Sequence, residues 1–165
     1  MIVIFPAGSG VDIVARIVGQ KMGESLGQQF TIDNRGGAGG IIAADATAKS
    51  APDGYTLVMV SAAHTINASL YAKLPYDPVR DFAAISLLAS TPYLLVVHPS
   101  LPVKTVADFV ALAKARPGQL SYGTGGVGVG SHLAGELFKY MAKIDIVDVP
   151  YRGGPLATTE TVAGQ

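Results

Sequence analysis

The chain has 165 residues, enough for one ordinary domain or two small lobes, and 49% hydrophobic against 15% charged residues marks it as a folding rather than a disordered sequence. Lys plus Arg equals Asp plus Glu at 12 each, so no global field draws it to nucleic acid or to a membrane surface. It has no cysteine, which excludes disulfides, thiolate zinc sites and cysteine nucleophiles.

Residues 2–5 are a short apolar run ended by Pro6-Ala7-Gly8-Ser9-Gly10, and read as a buried parallel strand with a tight turn. The uncharged start, residues 1–11, is too short to span a bilayer and lacks the basic segment of a signal peptide. The chain is expected to begin inside a strand, as a segment of a longer protein would. Asp12 precedes a helical pattern in which Ile13, Val14, Ile17, Val18, Met22 and Leu26 form the expected core face, with Gly27 as the stop. Residues 30–33 predict a second strand, residues 34–40 a glycine-rich loop, and residues 41–50 a helix of small residues. Pro52-Asp53-Gly54 is a turn signal, and residues 55–60 predict a third strand. A short helix is expected near 66–71, and strands at 84–89 and 93–97.

His98-Pro99-Ser100-Leu101-Pro102 is the best internal boundary, dividing a first lobe, 1–98, from a second, 99–165. Thr105 and Asp108 predict a capping pair for a helix over 106–115. A strand at 120–122 leads into a glycine-rich loop, 123–130. A helix over 131–143 follows, with Leu133, Leu137, Phe138 and Met141 towards the core. A strand at 146–149 and a weak helix at 155–163 complete the series. This β-α-β order predicts an α/β fold with parallel-rich sheets in two lobes.

Two glycine-rich turns, at 6–12 and 123–131, each follow a strand and open a helix. A helix N-terminus carries unpaired N–H groups and partial positive charge, and glycine lets a ligand approach the backbone, so such turns suit phosphate or carboxylate. Singly, each is ordinary strand-to-helix turn chemistry; one in each lobe favours anion binding. Gly123, Gly125 and Gly128 also spell a dinucleotide fingerprint, with Asp145 and Asp148 near the place of a ribose-binding acid. That leaves a nucleotide-binding enzyme domain as an alternative, although Gly130 and Ser131 extend the loop beyond the usual length. Catalytic patterns are absent: there is no G-x-S-x-G and no H-E-x-x-H, and no two histidines share a helix face. No catalytic residue, metal or cofactor is expected. His64 and His132 lie beside the turns, where they either touch ligand or pack, and Asp12 reads as a cap or loop organiser.

Several strings resemble one family together. They are Phe5-Pro6-Ala7-Gly8-Ser9-Gly10-Val11-Asp12, Asn34-Arg35, Ala51-Pro52-Asp53-Gly54-Tyr55, Leu74-Pro75-Tyr76-Asp77-Pro78, Val97-His98-Pro99-Ser100, Ser131-His132-Leu133-Ala134-Gly135-Glu136 and Val149-Pro150-Tyr151-Arg152-Gly153. They resemble the Bug/TctC solute-binding receptors of tripartite tricarboxylate transporters. The resemblance implies a two-lobe, periplasmic-binding-protein-like Venus flytrap. It implies capture of a small carboxylate in the periplasm after export, delivery to membrane permease subunits, no catalysis, and a longer parent that continues beyond Gln165.

The implied ligand contacts are Phe5, Ala7, Gly8, Ser9, Gly10 and Asp12 after the first strand. Ser61, Ala62, His64 and Thr65 follow the third, and Thr124, Gly125, Gly126, Gly128, Ser131 and His132 belong to the second lobe. Ser9 and Gly36 replace the family's usual glycine and proline, and Val127 and Val129 stand where polar residues are common. A shortened sheet would also expose apolar edges, so a non-binding, self-associating segment is a further alternative.

Overall fold

The apolar run at the start of the chain becomes the middle strand of a parallel sheet. In the computed structural model, which describes residues 1–165, this sheet belongs to a first unit, Met1–Thr91, and the rest of the chain forms a second, Pro92–Gln165. The expected boundary at 98/99 falls inside the second unit.

In the first unit β1 (Ile2–Val3) lies between β2 (Asp33–Asn34) and β3 (Val58–Met59), with Ile2 opposite Asp33 and Val58. The connections carry α1 (Gly10–Leu26) and α2 (Ile41–Ala48), and α3 (Ala63–Leu70) follows β3. Side chains alternate across a strand, so Val3 faces α1, packing with Ala15 and Met59. Ile2 and Ile4 face α2, packing with Ala43. Both faces of β1 are therefore covered, which is why its sequence is continuously apolar.

The strands are shorter than expected. Residues 30–32 precede β2 rather than belonging to it, although ladder-type bonds such as Asp33 N–H to the Met1 carbonyl (2.9 Å) extend the pairing slightly. Residues 84–89, expected as a strand, are irregular and exposed, with Ile85 81% and Leu87 87% accessible. A strand is held by a neighbour's backbone groups, and this stretch has no paired strand.

The face of α1 also differs from expectation. Asp12, Ala15 and Gly19 are the buried positions, while Ile13, Ile17 and Leu26 are at least half exposed. Gly19 explains the rotation: a Cβ there would stand 3.4 Å from Ile32 Cδ1 and 3.5 Å from Phe30 Cβ, so the helix lays its small residues against the chain leading into β2.

The second unit pairs β4 (Ser121–Thr124) with β5 (Val147–Pro150) in parallel, in register from Ser121 opposite Val147 to Thr124 opposite Pro150. Around this pair lie α4 (Val106–Ala115), α5 (Gly130–Ala142) and α6 (Gly154–Val162). The core is Phe109, Ala113, Ile144 and Ile146, joined by Phe138 and Leu120. The capping box at α4 is present: Asp108 N–H donates to Thr105 Oγ1 (3.1 Å) and Thr105 N–H to Asp108 Oδ2 (3.0 Å). Residues 93–97 form no strand, again for want of a paired neighbour. On α5, Leu137 and Met141 are exposed rather than buried. The ring of Tyr122 occupies the space beside Gly135, so that glycine, with Phe138, sets the inward face.

Candidate ligand-binding loops

The loop after β1 is built around one carboxylate. Ser9 caps α1, its hydroxyl accepting from Asp12 N–H at 3.3 Å. The Asp12 side chain, 3% exposed, turns back into the loop and accepts from Gly8 N–H at 2.8 Å. It also accepts from Arg16 Nε at 3.0 Å and from Asn34 Nδ2 at 2.9 Å, and that same amide nitrogen reaches the Phe5 carbonyl at 3.0 Å. Arg16 Nη2 closes the ring on Asn34 Oδ1 at 3.2 Å. The Arg16 hydrogen bond, aided by the Gly8 amide and Asn34 and opposed by burial, holds the Asp12 carboxyl down at about 2.

Asp12 is therefore the organiser of the loop, and its two oxygens are already engaged. Ser9 Oγ is likewise engaged as the cap. The amides of Ala7, Gly10 and Val11 have no protein acceptor. A Cβ at Gly8 (φ +81) or Gly10 would meet nothing within 4 Å, so the space over the loop is open to a ligand. Arg16 and Asn34 were not among the sequence candidates. The Asp12–Arg16 spacing of four on one helix, and an Asn at the end of a strand, are the signals that could have found them.

After β3, Ser61 Oγ accepts from Ala63 N–H at 3.2 Å, and the Thr65 hydroxyl donates to the Ala62 carbonyl at 3.0 Å. His64 points inward: Nε2 lies 3.0 Å from the Pro78 carbonyl, the ring stacks on Tyr76 at 5.7 Å between centroids, and Phe82 meets it edge-on at 4.8 Å. Its imidazole anchors the 74–82 loop rather than facing the open side. Asn67, fully buried, donates to the Gly39 carbonyl at 3.0 Å and fixes the glycine-rich loop after β2.

The loop after β4 has the same plan with different parts. Gly125 N–H donates to Ser131 Oγ at 3.1 Å, and Gly128 N–H to His132 Nδ1 at 3.4 Å. The turn after β5 braces it, with Tyr151 N–H on the Thr124 carbonyl (2.9 Å) and Gly153 N–H on the Gly125 carbonyl (3.1 Å). This bracing explains two glycines: a Cβ would lie 3.1 Å from Gly154 N at Gly125 and 3.2 Å from the Tyr151 carbonyl at Gly126 (φ +123). The amides of Val127, Gly130 and Ser131 have no protein acceptor, and Thr124 Oγ1 is buried without a partner. His132 Nε2 stands 3.7 Å from Asp148 Oδ2. Beside it the Tyr122 hydroxyl donates to Glu136 Oε1 at 2.7 Å, and Lys139 Nζ reaches the same oxygen at 2.8 Å. Lys139 and then Tyr122 lower the Glu136 carboxyl, while burial and the Glu136 contact raise the Tyr122 phenol.

The sequence candidates thus fall into three clusters, one after each of β1, β3 and β4. The first and third present free backbone donors in front of a helix. Residues 14–165 match the tripartite tricarboxylate transporter family receptor. The chain belongs to this family.

BugT of Bordetella pertussis is 37% identical over 99% of this chain and 51% of its own length. Among solved structures, Rpa4515 of Rhodopseudomonas palustris with adipate is 39% identical with a TM-score of 0.94, covering 99% of this chain and 55% of that one. MatC of the same organism, with bound malate, is 33% identical with a TM-score of 0.88, covering 99% and 56%. The fold is accordingly that of the periplasmic binding proteins of this family, α/β with parallel sheets. The chain spans about half the length of the relatives it matches.

Proposed function

We propose that this chain is part of an extracytoplasmic receptor that captures a small dicarboxylate, a linear aliphatic diacid or hydroxy-diacid, and presents it to permease subunits of a tripartite tricarboxylate-type transporter. The observation that carries the reading is the pair of strand-to-helix loops whose amides, at Ala7, Gly10 and Val11 and at Val127, Gly130 and Ser131, have no protein acceptor. Oriented backbone donors at a helix start favour a carboxylate without any cationic side chain in contact with it. Relatives solved with adipate and malate agree with that chemistry. Binding, not catalysis, is the role: the one strongly perturbed carboxyl near these loops, Asp12, is locked in place by Gly8, Arg16 and Asn34. The periplasm is the compartment that fits the family.

Titration calorimetry of the protein with adipate, malate, NAD and ATP tests the reading. Saturable binding of a dicarboxylate alone is expected; nucleotide binding without any carboxylate response overturns it. Gly10→Val is the sharpest variant. A Cβ there stands clear of protein atoms by at least 4 Å, so the fold is expected to be retained, while the space over the free amides is filled and dicarboxylate binding is lost. Lys73→Ala, at an exposed position outside both loops, leaves binding unchanged.

A further inference from the structure

We infer that His132 is a positioning residue whose neutral imidazole holds the loop after β4 in its anion-accepting shape, so that ligand capture fails on acidification. The inference rests on the proposed carboxylate site. It starts from a hydrogen-bond polarity. The Gly128 amide has only a proton to give, so the ring nitrogen 3.4 Å away, Nδ1, must be the unprotonated one. The ring proton of the neutral form then sits on Nε2, which faces Asp148 Oδ2 at 3.7 Å. Gly128 (φ +80) lies two residues before α5, between the free amides of Val127 and Gly130. Whatever moves Gly128 moves those donors.

Protonating Nδ1 puts a second N–H in front of the Gly128 N–H, and two donors cannot share a bond. The charged groups facing the ring compensate the imidazolium while doing nothing for the amide. Asp148 on β5 keeps one oxygen buried and unpartnered, and Glu136 lies one turn along α5, itself bonded by Lys139 and by Tyr122 of β4. The ring therefore charges in place, and the loop amide is the group displaced.

The test follows the Gly128 amide and the His132 ring nitrogens by ¹⁵N NMR from pH 8 to 5. It runs alongside adipate and malate titrations on the wild type, His132→Asn and His132→Leu. Asparagine keeps an acceptor near the Nδ1 position and cannot titrate. The expected result is an Nε2–H tautomer at high pH, with the Gly128 signal moving together with the ring. Affinity then falls about tenfold per pH unit once the imidazolium dominates. His132→Asn gives a flat profile at near wild-type affinity, and His132→Leu binds weakly at every pH. A Gly128 signal indifferent to ring protonation, or a His132→Asn variant that keeps the wild-type pH dependence, overturns the inference. If no dicarboxylate binds at any pH, the proposed function fails, and the Gly128 and ring signals alone decide the role of His132.

Discussion

The loop after β1 and the loop after β4 solve one backbone problem in two chemistries. In both, a glycine with φ near +80° (+81 at Gly8, +80 at Gly128) donates its N–H to the third residue of the helix that follows. In the first the acceptor is the Asp12 carboxylate, shared with Arg16 and Asn34; in the second it is the His132 imidazole, with Asp148 behind it. The first loop has a side-chain cap at Ser9 and open space above its glycines, whereas the second has an apolar cap residue, Val129, and is braced by the turn after β5. The same turn can thus be held by local ionic bonds or by a neighbouring turn, and the former makes one residue decisive.

The largest effect should therefore come from Asp12. Asp12→Ala removes the buried carboxylate that accepts from Gly8, Arg16 and Asn34 at once, leaving Asn34 only the Phe5 carbonyl and the Gly8 amide no protein acceptor, and should cost about 2 kcal/mol of stability. His132→Ala should cost about 1 kcal/mol, since the Gly128 bond is long and the loop keeps its brace. Urea denaturation of both variants measures the contrast. Equal losses would mean the carboxylate lock is no stronger than the imidazole one.

Next come the two helices that follow the loops, where alanine should act with opposite sign. At Gly135 a Cβ has nowhere to go, because the Tyr122 ring fills the space and its hydroxyl is tied to Glu136 at 2.7 Å. Gly135→Ala should cost about 2 kcal/mol by overpacking. At Gly19 a Cβ would make ordinary contact with Ile32 and Phe30, so Gly19→Ala should stabilise by about 0.5 to 1 kcal/mol through reduced backbone freedom in the unfolded chain. Thermal melts report both signs.

Those two glycines also show what could be read in advance. The sequence predicts α4, its Thr105–Asp108 cap and the two glycine turns, because caps and turns are written in residues adjacent along the chain. It misplaces the buried faces of α1 and α5, because the longest apolar stripe reads as the core. Close helix packing instead chose the small residues, leaving Ile17 and Leu137 outside. A lone glycine inside a helical pattern was the available signal. The strands expected at 84–89 and 93–97 failed for another reason: an apolar run records β propensity but not whether a neighbour exists to pair with it. At the site, the loops were legible and their locks were not. Asn34 reaches Asp12 from 22 residues away, a contact set by β1–β2 pairing rather than by local spacing. The sequence puts His64 beside the loop after β3, but its ring turns inward to Tyr76 and Phe82, contacts that only the fold reveals.

Acid separates the two loops in a further way. The Asp12 carboxyl sits at about 2 in the folded chain against an ordinary 3.8, so its stabilising contribution is complete above the ordinary value and is lost as pH falls through about 2. The loop after β1 should therefore keep its shape through the range in which a histidine charges. The Gly8 amide signal should stay fixed between pH 8 and 5 and move only below about pH 4. A Gly8 signal that moves together with Gly128 would erase the distinction between the two locks.

The smallest expected effect isolates the charge in the first lock. Arg16 is half exposed, at 53% of its side chain, so solvent screens it and it adds little to stability on its own. Its hydrogen bond is nonetheless the leading cause of the depressed Asp12 carboxyl. Arg16→Gln retains a neutral donor and should cost little stability near neutral pH, while moving the Asp12 carboxyl upward towards its ordinary value. Because the guanidinium acts on the ionised carboxylate, the variant's deficit should be complete at pH 5 and should shrink as the pH is lowered to 3, where the variant's Asp12 carboxyl begins to protonate. A carboxyl ¹³C titration of Asp12, combined with urea midpoints at the two pH values, reads both quantities. An unmoved carboxyl would show that Gly8 and Asn34 set the lock without the guanidinium, making it a hydrogen-bonded lock whose ionic partner is incidental.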